Sequence, residues 1–531
     1  MSIPGTAVSL SAAMALVWVG GCSSTVGGGD GASADPALGV LADTNVTDLA
    51  AVQGQHVPQA EHCIQEEMNE IADPHERFVA AFECGDELFE VVFNSLDGVG
   101  ANVGGGQRFS RVPRADRSGA GEWATHTPPR ATGPNGQACN QCHNLPFDDG
   151  AGNATGNVHR DPLHTGSVTQ FIQRNTPHVF APGAIQVLAE EMTERLHRLR
   201  DDFRELSCQL GGFPIPVPLS SKGVSFGSIV VRCNGNDSTS NVRGVGPDLI
   251  VRPFQWKGAN ASLRDFNRGA AHNELGIQPV EISGDDIDGD ADGVLNEAGV
   301  GDMSALAIYL AAQPRPVTKV ELADLGLIVI TDEERDAIAR GSELFERVGC
   351  ESCHRPSLTA NDPIFAEPSE NDSFRDATFP AGQDPIERGV DPASPISFDL
   401  TADQPDNVIE VGDEEIHLGA FEANSRGGAI IRLYGDLRRH DMGPGLAEAI
   451  DEIGTGASVF VTENLWGVGS TAPYLHDGRA TTLTEAILEH GGEASNSRNA
   501  FAGRSDAEKA DIIAFLDNLV LFKAPEEEEA E

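Results

Sequence analysis

A mainly α protein with little β structure, made of two similar halves that carry long loop-rich insertions, is what this sequence predicts. Three observations predict it. The stretch Cys139-Asn-Gln-Cys-His143 recurs as Cys350-Glu-Ser-Cys-His354, and Gly85-Asp-Glu-Leu-Phe-Glu-Val-Val-Phe93 recurs as Gly341-Ser-Glu-Leu-Phe-Glu-Arg-Val348. After each cysteine motif a proline turn precedes a helical pattern, at Thr176-Pro-His-Val-Phe-Ala-Pro-Gly183 and Ala472-Pro-Tyr-Leu-His-Asp-Gly478. Two thiols three positions apart, with an imidazole directly after them, suit covalent attachment of a haem: each thiol adds to a vinyl group and the histidine reaches the iron. A zinc knuckle would want two further thiol or imidazole ligands at short spacing, and a redox thiol pair does not require the histidine in both copies. The sequence therefore predicts two covalently bound haem c groups, one on Cys139, Cys142 and His143, the other on Cys350, Cys353 and His354.

Taken in order, residues 1–22 read as a lipoprotein signal peptide. An apolar run from about Ala7 to Val19 ends at Gly-Gly-Cys22, where a lipid would tether the chain to a membrane. The run lacks a preceding Lys or Arg; a plain signal peptide is the alternative, and both imply export to the periplasm. Residues 23–55, rich in Gly, Ser, Ala and Asp, read as a flexible linker.

Residues 56–205 are the expected N-terminal cytochrome c-like domain. Its haem motif is separated from the Gly85 repeat by a Gly/Arg/Pro-rich stretch that includes Trp123 and His126. The helix after the first proline turn shows its apolar face at Ile185, Leu188, Ala189, Met192 and Leu196. Residues 206–325 form an intervening region, with a strand at Ser225 to Cys233. Its Asp-rich stretch Asp286-Ile-Asp-Gly-Asp-Ala-Asp-Gly-Val-Leu-Asn-Glu297 places Asp286, Asp288, Asp290, Asp292 and Glu297 as calcium-type oxygen ligands. Neither register completes an EF-hand loop: counted from Asp288 the twelfth position is Gly299, and counted from Asp286 the sixth is Ala291. A solvated acidic turn is the alternative.

Residues 326–523 are the expected C-terminal cytochrome c-like domain. Thr331 has capping-box spacing to Glu334, and Ile338, Gly341, Leu344, Phe345 and Val348 follow a helical period into the second haem motif. Ser505 opens a last helix through Leu521, and residues 524–531 are an acidic tail.

Of nine cysteines, Cys22 is assigned to lipid and four to haem, which leaves Cys63, Cys84, Cys208 and Cys233. An oxidising compartment favours two disulfides, the sequence-local pairings Cys63–Cys84 and Cys208–Cys233 first among three possibilities, with buried free thiols as the alternative. A net charge of −46, from 82 acidic and 36 basic residues, argues against nucleic acid as a partner. It is compatible with a basic electron-transfer partner, a saline habitat, or simple solubility.

With Arg174-Asn-Thr-Pro177 after the first haem motif and Thr471-Ala-Pro-Tyr-Leu-His-Asp-Gly-Arg479 near the end, the sequence resembles the bacterial di-haem cytochrome c peroxidase superfamily. Leu437-Arg-Arg-His-Asp-Met-Gly-Pro444, Leu465-Trp-Gly467 and His490-Gly-Gly-Glu-Ala494 resemble its di-haem oxidoreductase branch, over about residues 80 to 522. The resemblance implies an enzyme in which the C-terminal haem, on His354, collects electrons and the N-terminal haem, on His143, opens a position for peroxide. Met442 is the expected far-side ligand of the C-terminal haem, with core packing as its ordinary alternative. His159 is the expected distal histidine of the N-terminal haem, with His164 and His178 as rivals, and Glu190 or Glu191 the expected acid–base carboxylate. His476 and Arg479 are expected near the C-terminal haem edge. The implied partners are a small electron-donor protein, a cytochrome c or cupredoxin, and hydrogen peroxide or another small oxidant. A non-catalytic di-haem electron carrier and a di-haem oxidase of another substrate are the alternative functions, because fold alone does not choose among them.

Overall fold

Each half is organised around a pair of crossing helices, and in both the crossing point is the repeated glycine. In the computed structural model, Pro74–Glu90 crosses Val300–Ala311, and Asp332–Arg347 crosses Asp506–Asp517. A Cβ on Gly85 would fall on the backbone of Ala305, and one on Gly341 on the backbone of Asp511. Only glycine lets the helix axes come this close, which is why the two stretches share it. Local chemistry starts these helices. The Asp73 carboxylate accepts from the backbone N–H groups of His75 and Glu76 ahead of Pro74; Thr331 accepts from Glu334 N at 3.1 Å; Ser505 and Glu508 form a capping box.

The structure describes residues 57–99, 135–160, 172–289, 292–402, 404–412 and 414–524. The segments read as signal peptide, linker and acidic tail, together with Cys22, Trp123, His126, His164 and Asp290, lie outside the described residues. From Gln55 onward the chain forms one compact unit. The helix that closes the first crossing, Val300–Ala311, falls in the stretch expected from the sequence to be an intervening region.

The expectation of a mainly α fold with little β structure is corrected: 34% of the structure is helix and 16% is strand. Among the described residues the strands form seven sheets of two or three strands each. Most of these strands are two to five residues long, too short to display an alternating period. Several pair with distant segments rather than through hairpin turns: Val520 lies opposite Val317, and Ile431 opposite Leu358. The exception is Val224–Val231, central in the sheet Ile215–Ser221, Val224–Val231, Ser238–Val242, where alternation was legible.

The first core extends from Phe78, Leu88 and Phe89 through Leu188, Met192, Ile308 and Tyr309 to Phe365, Phe398 and Ile431. The insertion between the second haem motif and Tyr434 thus packs on the first half. The second core is smaller, built on Leu344, Phe345, Ile512, Phe515 and Leu516. Both preferred disulfides, Cys63–Cys84 and Cys208–Cys233, are formed, and Cys139, Cys142, Cys350 and Cys353 take no part in them. No described helix is long and apolar enough to cross a membrane.

Candidate haem sites

Each cysteine motif is a single tight turn. Cys142 N and His143 N donate to Cys139 O at 3.1 and 3.2 Å, and Cys353 N and His354 N donate to Cys350 O at 3.3 and 3.0 Å. Such a turn puts two thiols and an imidazole at the same wall, and each set lines its own cavity. The cavity at His143 encloses about 2050 Å³ of empty space and that at His354 about 1610 Å³, mouths included. Phe89 packs beside His143 with ring centres 5.8 Å apart, and Phe345 beside His354 at 6.4 Å, so the Leu-Phe pair of the repeat supplies equivalent walls.

The cavity at His354 has a second imidazole facing the first. The rings of His354 and His490 have centres 6.4 Å apart, and both side chains line the cavity. Two metal–imidazole bonds of about 2 Å each, with the ring radius added at either end, span about 6 Å. The Nδ1 of His354 bonds Tyr434 O at 3.2 Å and that of His490 bonds Ala486 O at 2.7 Å, which leaves both Nε2 atoms for an iron. Burial, then the neighbouring His490, lowers His354 to about 4; burial also lowers His490, so both rings stay neutral, the form that ligates. His490 ends the Leu483–Glu489 helix just before Gly491-Gly492, where the chain turns its ring inward. Sequence reasoning missed it because it lies far along the chain from its partner. Met442, the expected ligand, lines the same cavity, with Met442 N bonded to Ser458 O at 2.8 Å.

His440 also borders this cavity, its Nε2 3.0 Å from Asp436 and its Nδ1 2.9 Å from Glu493. Burial opposes a charge there, but the bond to Asp436, with help from Cys353, overcomes it and holds the ring at about 10. His476 lines the cavity too, stacked on Phe460 with ring centres 4.2 Å apart, whereas Arg479 does not line it and pairs with Asp477.

The cavity at His143 differs. Burial lowers His143 to about 4, partly offset by the backbone of Pro177 and Gly150, and among the described residues the only ring packed beside it is Phe89. His159 does not reach the cavity. It sits in the strand Val158–Arg160, where alternation sends its side chain opposite to that of Val158, which does line the wall. His178 lines both cavities, but Nδ1 accepts from Phe180 N at 3.2 Å and Nε2 donates to Trp466 O at 3.0 Å, so neither nitrogen is left for iron.

Glu190 and Glu191 do not line either cavity. Glu190 is half-buried and accepts from Gln186 at 2.9 Å and Ser369 at 2.8 Å; Glu191 pairs with Lys222 and accepts from Asn361 N at 2.6 Å. Both tie the long Pro182–Gln209 helix to the second-half insertion. The carboxyls that do line the His143 cavity include Glu274 and Glu463. Glu274 lies on a π-helical turn, Ala271–Leu275, a form frequent at functional sites. Glu463 lines both cavities, and burial alone pushes it up to about 7.

The Asp-rich loop spends its carboxylates on its own backbone. Asp288 accepts from Asp292 N and Gly293 N, both at 3.1 Å; Asp292 accepts from Val294 N at 2.8 Å; Asp286 accepts from Asn296 at 3.1 Å. Glu297, the expected twelfth ligand, is buried, accepts from Gln278 N at 2.8 Å and lines the His143 cavity. Among the described residues the loop gathers no metal-ligand cluster.

Two cysteine–histidine turns, each lining its own cavity, define a two-haem redox protein. Residues 404–519 match the family model described as "Di-haem oxidoreductase, putative peroxidase", and this segment supplies Tyr434, His440, Met442 and His490. Among solved structures, the chain is similar to a MauG-like protein associated with microbial copper homeostasis, at 16% identity over 54% of this chain and 75% of that one, with a TM-score of 0.25. It is also similar to Kuenenia stuttgartiensis hydrazine synthase, at 17% identity over 44% of this chain and 59% of that one, with a TM-score of 0.21. No curated protein matches the sequence.

Proposed function

We propose that the chain is an exported di-haem c-type enzyme that reduces hydrogen peroxide. A small redox protein delivers electrons to the haem on His354, and these pass to the haem on His143. Both haems are held covalently, through Cys139 and Cys142 and through Cys350 and Cys353. The observation that carries this reading is the asymmetry of the two cavities: His354 faces His490 across the span of an iron, whereas beside His143 a described imidazole in the cavity, His178, has both nitrogens engaged with the backbone. A haem closed on both faces suits electron transfer, and one with an open position supplies peroxide chemistry.

The chain's own residues do the rest. His354 and His490, each fixed through Nδ1 by a backbone carbonyl, would hold an iron between their Nε2 atoms. Glu463, at about 7, can hold and give a proton at neutral pH, and Glu274 on its π-turn is placed to accept one. Apolar walls such as Phe89, Phe93, Phe254 and Leu310 exclude water from the reacting centre. Steady-state consumption of hydrogen peroxide by the purified holoprotein, with a reduced cytochrome or cupredoxin as donor, tests the reading. Turnover that depends on both reactants supports it; donor exchange without peroxide consumption points instead to a carrier.

A further inference from the structure

Tyr309 is buried on the Val300–Ala311 helix, outside both cavity walls, and its hydroxyl donates to Asp149 Oδ1 at 2.9 Å. The chain has three tyrosines, Tyr309, Tyr434 and Tyr474; among the described residues only Tyr309 has its hydroxyl on a carboxylate. Its ring is the end of a buried aromatic series. Tyr309 lies 5.4 Å from Phe89 between ring centres, and Phe89 lies 5.8 Å from His143. Asp149 itself is held in a left-handed backbone conformation, φ 64°, and is 1% exposed. Lys523 Nζ stands 3.6 Å from its other oxygen, and Asp86 lies near the Tyr309 hydroxyl. Burial, opposed by Lys523, pushes Asp149 up to about 7, so near neutral pH a good part of it is ionised and can take a proton. The phenol, by contrast, is raised by burial and by Asp149, so it does not ionise before it is oxidised.

We propose that Tyr309 is a one-electron relay on the proximal side of the haem at His143, with Asp149 as its proton acceptor. The oxidant is that haem after its reaction with peroxide. One electron leaves the Tyr309 ring and reduces the haem centre by one equivalent, the O–H bond breaks, and the proton moves to Asp149 Oδ1. A neutral phenoxyl radical and a protonated, still buried carboxyl result, so the negative charge that leaves the Asp149 site travels to the haem with the electron. Lys523, 3.6 Å from the other oxygen, holds the ionised form of Asp149 that takes the proton.

This relay rests on the peroxide reading, and the test separates the two. The fully oxidised holoprotein is mixed with hydrogen peroxide in the absence of donor, frozen, and studied by electron paramagnetic resonance alongside its haem absorption spectrum. The wild type is expected to give an organic radical signal whose hyperfine structure collapses when the protein is grown on ring-deuterated tyrosine. Tyr309→Phe is expected to lose the signal, and Asp149→Asn to lose or strongly reduce it with the tyrosine still present, while Tyr434→Phe and Tyr474→Phe keep it. A haem spectrum altered by peroxide with no tyrosine signal, or a signal unchanged in Tyr309→Phe, overturns the relay alone. A haem spectrum untouched by peroxide overturns the relay together with the peroxide reading.

Discussion

The two haem cavities are built by the same helix crossing and the same cysteine turn, yet in one a second imidazole packs opposite the motif histidine, and in the other no described histidine ring packs against His143. At His354 the helix after the proline turn is short and ends at His490, which returns its ring to within 6.4 Å of the proximal one. At His143 the corresponding helix, Pro182–Gln209, runs 28 residues without ending near the cavity and carries Gln186 and Glu190 into the insertion instead. A duplicated scaffold has thus been differentiated by where one helix stops. The comparison teaches that function divides at the far side of each iron, while the attachment side is shared.

The largest effect is expected from breaking the closed side. Replacing His490 by Ala should turn the low-spin haem at His354 high-spin, let cyanide bind both haems instead of one, and lower donor-dependent turnover on the order of 10–100-fold. Absorption spectra with and without cyanide check this. Replacing Met442 by Leu sharpens it: the low-spin spectrum should persist.

A second break acts on the crossing itself. Ala at Gly341 or Gly85 forces a methyl group into the partner helix backbone, and each should lower stability by about 1–3 kcal/mol in thermal unfolding, because neither site can yield without moving a helix. Gly326 is no control for this pair: it has open space around it, but its positive φ of 79° would strain an alanine for a different reason.

The smallest effect concerns Glu463, shared by both walls. Its carboxyl is raised from 4.5 to about 7, so the folded protein holds that proton more tightly than the unfolded chain. It therefore favours folding fully at low pH and loses that contribution as pH rises through about 7. Glu463→Gln should gain on the wild type between about pH 5 and about pH 8, by roughly 1–3 kcal/mol in denaturant unfolding. The midpoint potentials of its haems should also become less dependent on pH.

Much of this molecule is legible in its sequence. The haem turns, the Thr331 and Ser505 caps, the Gly85/Gly341 repeat and both disulfides are local patterns whose physics lies within a few residues or in simple pairing arithmetic. What is not legible depends on distance along the chain. His490 meets His354 only after the second half has folded, and Val300–Ala311 meets Pro74–Glu90 across more than two hundred residues. His159 is suggested by interval alone, and strand alternation instead places its neighbour Val158 at the wall. Glu190 and Glu191 stand on the right helix, but on its side toward the insertion. The small sheets escape notice because three-residue strands carry no period, and their pairing is set by the insertions they staple.

The proposed division of labour depends on one iron enclosed by two imidazoles and one left open. Near-infrared magnetic circular dichroism of the fully oxidised holoprotein, repeated with cyanide, reads this directly. The expected result is a low-spin bis-histidine haem that cyanide leaves unchanged, beside a second haem that takes it up. A histidine–methionine signature, or cyanide bound at both haems or at neither, would contradict it.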